Sequence, residues 1–94
     1  MKNGTYIYTN QEVWNQGTIT IQVKSTDKTL SFTLLENTIR YSPSAIDMLF
    51  SKSNAIKINK ARSQHSISAD YDDWFVMYPY RLGIPFLFER ENGI

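Results

Sequence analysis

Cysteine is absent from this 94-residue chain, which excludes disulfides, thiolate metal sites and cysteine nucleophiles and favours a reducing, cytoplasmic setting. Glycine is scarce. Its four positions, 4, 17, 83 and 93, match neither the P-loop nor the dinucleotide fingerprint, so ATPase and Rossmann chemistry are excluded. No window reaches the roughly 18 apolar residues of a membrane span, and the N-terminus lacks the apolar run of about 7–15 residues that a signal peptide requires. Only one histidine is present. His65 stands in Arg62-Ser63-Gln64-His65-Ser66, but with nine serines in the chain this adjacency carries no nucleophile–base signal, and His65 reads as an exposed or edge-strand residue.

The remaining composition is that of a globular domain, with 41% hydrophobic and 20% charged residues. The length allows one compact domain over residues 1–94, with the residues after Phe88 expected to fray. Net charge is +1, unevenly spread: residues 1–69 carry eight Lys/Arg against four acids and residues 70–94 two against five. One part of the molecule is therefore basic and another acidic. Abundant Ile, Asn, Lys, Ser and Tyr suit an AT-rich coding sequence and point to a low-GC bacterium, or to a phage or plasmid within one.

Alternation dominates the local pattern. Ile19, Ile21 and Val23, then Leu30, Phe32 and Leu34, alternate with Thr, Ser, Gln and Lys around Ser25-Thr26-Asp27-Lys28, the signature of an antiparallel hairpin with one apolar face. Strands are also expected at Gly4–Thr9, Thr38–Tyr41, Ala55–Lys60, Ser66–Ala69, Trp74–Tyr78 and Phe86–Phe88. Thr9-x-x-Glu12 can cap one helical turn ended by Gly17. Ser42-Pro43-Ser44 followed by Ala45, Ile46, Leu49 and Phe50 at helical spacing predicts an amphipathic helix over about 43–52. The fold class expected is α+β: a mostly antiparallel sheet of five to seven short strands with that helix packed on it. The alternative is a small, curved, half-open barrel.

Seven aromatic residues, Tyr71, Trp74, Phe75, Tyr78, Tyr80, Phe86 and Phe88, crowd one segment near the C-terminus. Trp74 to Tyr78 is apolar on both strand faces, which predicts a strand buried on both sides. The Tyr/Arg mixture just after it resembles the chemistry of interface hot spots. Candidate partner-binding residues are thus Asp72, Asp73, Tyr78, Tyr80 and Arg81. No acid occurs between Asp47 and Asp70. Lys57, Lys60, Arg62 and His65 in that interval are candidate anion-binding residues. Asp70, Asp72 and Asp73 do not make a calcium loop, because Phe75 and Arg81 occupy the positions that need Gly and Glu. No metal or cofactor is expected.

The function expected is non-enzymatic: a small inhibitor or accessory protein of the kind phages and plasmids carry, docking to a larger protein through the C-terminal aromatic/Arg segment. The alternative is a ligand-sequestering protein, as a homo-oligomer, that holds a nucleotide-like anion between Lys57, Lys60 or Arg62 and aromatic rings. A pI near 8.0 argues against a dedicated nucleic-acid binder, and no membrane contact is expected.

Overall fold

The computed structural model describes residues 1–11, 16–39, 50, 54–80 and 83–91. Seven strands form one sheet: β1 (Gly4–Asn10), β2 (Gly17–Ser25), β3 (Thr29–Asn37), β4 (Ala55–Asn59), β5 (Ser66–Asp70), β6 (Trp74–Tyr78) and β7 (Phe86–Arg90). Their spatial order is β4-β3-β2-β1-β7-β6-β5, every neighbour antiparallel. The sheet curls into a half-barrel.

This architecture corrects the α+β expectation. Among the described residues no helix packs on the sheet. The helix expected over 43–52 lies outside the described residues except for Phe50, which is buried in the core. The physical reason is the curl. Inner-face side chains of strands that are not neighbours meet one another: Phe32 of β3 stacks on Phe75 of β6 at 5.6 Å, and Tyr6 of β1 meets Phe75 edge-on at 5.2 Å. The sheet thereby supplies much of its own cover, and Tyr6, Ile19, Ile21, Val23, Phe32, Phe75, Met77, Phe86 and Phe88 close into one core that Ile39 and Phe50 join from outside the strands.

The β2–β3 hairpin forms with Val23 opposite Phe32 and Ile21 opposite Leu34, and a bulge at Thr20/Ile21 shifts the register near its open end. Of the turn expected from Thr9 to Gly17, Thr9 lies in β1 and Gly17 opens β2; residues 12–15 lie outside the described residues. Thr38 and Ile39 follow β3 without forming a strand, and the rest of the strand expected there lies outside the described residues. Glu89 and Arg90, expected to fray, complete β7, and the Glu91 N–H donates to the Thr5 carbonyl at 2.7 Å.

Topology also explains why the barrel stays open. In a sheet of seven antiparallel strands the two edges, β4 and β5, run in the same direction. Pairing them as parallel neighbours calls for a crossover of about a dozen residues or more, whereas only the six residues 60–65 connect them. That linker runs from the end of β4 at one end of the sheet to the start of β5 at the other. It is tied at the first end by Lys60 N–H to the Lys28 carbonyl (2.9 Å) and at the second by Tyr80 N–H to His65 Nδ1 (3.0 Å).

Candidate functional site

Strand β6 presents two different faces. Phe75 and Met77 are fully buried, while Trp74 and Tyr78 are 37% and 40% exposed. The expectation of burial on both sides is therefore overturned, because the curl places β6 on a barrel wall with solvent outside. In β7 the same alternation buries Phe86 and Phe88 and leaves Leu87 exposed. Register then gathers the outward residues: Leu87 lies opposite Val76, and Glu89 lies opposite Trp74. Tyr71, in the β5–β6 turn, stacks on Trp74 with ring centroids 4.3 Å apart and planes 18° from parallel. Tyr71, Trp74, Val76, Tyr78 and Leu87 make a continuous apolar and aromatic outer surface.

Backbone hydrogen bonds hold the turn that carries the stack. The Tyr71 N–H donates to the Trp74 carbonyl at 2.9 Å, the Lys2 N–H to the Asp72 carbonyl at 3.1 Å and the Arg90 N–H to the Asp73 carbonyl at 2.7 Å. The Tyr6 hydroxyl donates to the Lys2 carbonyl at 2.6 Å, with the Asp72 carbonyl 3.1 Å away. Burial pushes the Tyr6 phenol above its ordinary value, so its proton stays available for this bond. The carboxylates of Asp72 and Asp73 are left on the surface, Asp73 lying 3.8 Å from the Arg90 guanidinium. A hollow of about 400 Å³ lined by Asp73, Trp74, Leu87, Glu89 and Arg90 joins the acidic rim to the aromatic surface.

Of the partner-binding residues expected from sequence, Asp72 and Asp73 sit at one end of β6 and Tyr78 at the other, on the same outer surface as Trp74. Tyr80 is exposed but lies beyond Pro79, where its N–H contacts His65. Arg81 lies outside the described residues. Trp74 and Leu87 were not among the expected site residues; the alternation Phe86-Leu87-Phe88-Glu89 beside Trp74-Phe75-Val76-Met77 carries the signal that finds them, once one sheet face is assigned to solvent.

The anion-binding candidates do come together. Lys60 and His65 line one hollow beneath the linker, and Lys57, Arg62 and His65 line a second beside it. Burial lowers the His65 pKa from its ordinary value, so the ring is neutral near pH 7 and its Nδ1 can accept from Tyr80. Among the described residues no Phe, Tyr or Trp lines either hollow. Among the described residues no group of three or more His, Asp or Glu gathers around a common point. No helix among them is long and apolar enough to cross a membrane.

No family model, curated protein or solved structure matches the chain.

Proposed function

We propose that the chain is a non-enzymatic binding module that docks to a larger protein through the outer face of β6 and β7. The observation that carries this reading is the exposed Tyr71–Trp74 stack, continuous with Tyr78 and Leu87 and held on a hydrogen-bonded turn. Aromatic residues on a rigid platform bury large areas on contact at low entropic cost, and such residues dominate interface energetics. Asp72, Asp73 and Glu89 surround one end of the platform, which favours an apolar partner surface bearing Lys or Arg and speeds encounter with it. A role as a phage- or plasmid-encoded inhibitor or accessory protein in the cytoplasm accords with the AT-rich residue usage and the absence of cysteine.

The test is quantitative affinity capture from a low-GC bacterial host, comparing the wild type with the double variant Trp74→Ser, Leu87→Ser and with Lys57→Gln. The reading predicts a protein captured by wild type and Lys57→Gln but lost from the double variant, which remains folded. Equal capture by a folded double variant contradicts it. So does light scattering that shows the face joining two copies of this chain.

A further inference from the structure

The opening between β4 and β5 carries chemistry that the outer aromatic face does not use. A cavity of about 480 Å³ lies beneath the 60–65 linker, with Leu30, Ile58 and Ile67 on its walls and Lys60, Ser63 and His65 around it. At Ile58, Ser63 and His65 it meets the second hollow, about 450 Å³, which adds Lys57 and Arg62. The volume falls in the range of small-molecule pockets, and the lining is mixed, with Leu30, Ile58 and Ile67 beside a larger set of polar groups.

Charge selects the ligand's head. Among the described residues, Lys57, Lys60 and Arg62 have no carboxylate partner; the Lys60 ammonium donates to Ser25 Oγ at 2.8 Å. The acid on the cavity wall, Asp70, is already paired with the Met1 amino group at 2.7 Å. With Nδ1 accepting from Tyr80, neutral His65 carries its proton on Nε2 and adds a donor rather than a charge. Wall chemistry selects the body: among the described residues the apolar side chains are aliphatic, and none of the wall residues is a Phe, Tyr or Trp that a nucleobase could stack on.

We propose that this opening binds a small amphiphilic anion, its aliphatic chain against Leu30, Ile58 and Ile67 and its carboxylate or phosphate head among Lys57, Lys60 and Arg62. The site is separate from the outer face of β6 and β7, and neither proposal depends on the other.

Thermal-shift titration of the whole protein with octanoate, octyl phosphate, octanol and inorganic phosphate tests it, read together with methyl NMR. A ligand of the folded state raises Tm by mass action. The expected result is a saturable rise with octanoate or octyl phosphate that moves the methyl signals of Leu30, Ile58 and Ile67, with the two amphiphiles distinguishing the head group. Lys60→Gln combined with Arg62→Gln, both exposed positions, weakens that binding by about tenfold or more through lost charge-assisted contacts. Ile67→Gln weakens it from the other side, and Trp74→Ser with Leu87→Ser leaves it unchanged. An equal response to octanol removes the role of the cations, an equal response to inorganic phosphate removes the role of the cavity, and no saturable response to either amphiphile overturns the site altogether.

Discussion

At Gly17 the backbone has φ +150°, and an added Cβ would lie 2.8 Å from the Thr38 carbonyl carbon and oxygen. Thr38 cannot retreat cheaply, because its Oγ1 accepts the Thr18 N–H at 2.8 Å and its own N–H donates to the Thr18 carbonyl at 2.9 Å. Gly17→Ala is therefore expected to cost about 1–3 kcal/mol, measured by urea unfolding, whereas Gly83→Ala meets no atom within 4 Å and carries only the strain of φ +72°. His65 behaves as a second single-residue control. Its folded-state pKa is depressed by burial, so the stability it contributes is full above its ordinary value near 6.5 and is lost as pH falls through the folded value. Protonation also removes the Nδ1 lone pair that accepts the Tyr80 N–H. His65→Asn should flatten the acid limb of a Tm-versus-pH curve below about pH 6.5; a limb of unchanged slope contradicts this.

Within β6 the two faces differ in what they do, and substitutions separate them. Phe75 stacks on Phe88 at 5.0 Å and on Phe32 at 5.6 Å and is fully buried, so Phe75→Ala is expected to cost about 3–5 kcal/mol. Trp74→Ala gives up a stack with Tyr71 on the partly exposed outer face, a loss of about 1 kcal/mol; denaturant midpoints compare the two directly. The strands themselves were legible because alternation is a local property: β2, β4 and β3 as far as Leu34 follow it residue by residue. What was not legible was which face of β6 meets water. Trp74, Val76 and Tyr78 are as apolar as Phe75 and Met77, and only the curl, set by contacts between distant strands, tells them apart. The α+β assignment failed for the same reason. A helical period over 43–52 predicts a helix covering an apolar sheet face, whereas much of that face closes on itself through Tyr6, Phe32, Phe75 and Phe88, with Phe50 buried in the same core.

At the scale of the molecule, an odd number of antiparallel strands and a short link between the edges leave a half-barrel with two chemically distinct surfaces. The basic interval of the sequence lies on β4 and the linker and Asp72 and Asp73 lie at the turn before β6, while Asp70 reaches the cavity that Lys60 also lines. The four basic candidates were legible as a group because they are close in sequence. The platform was not, since Leu87 reaches Trp74 and Val76 only through the β6–β7 register.

Hydroxyl-radical footprinting of the free protein and of its captured complex tests the central claim most directly, because it reads side-chain exposure on this platform one residue at a time. The account predicts that Tyr71, Trp74, Tyr78 and Leu87 are oxidised in the free protein and protected in the complex, while Phe75 and Phe88 stay unreactive in both. Equal oxidation of Tyr71, Trp74, Tyr78 and Leu87 with and without the partner would contradict it.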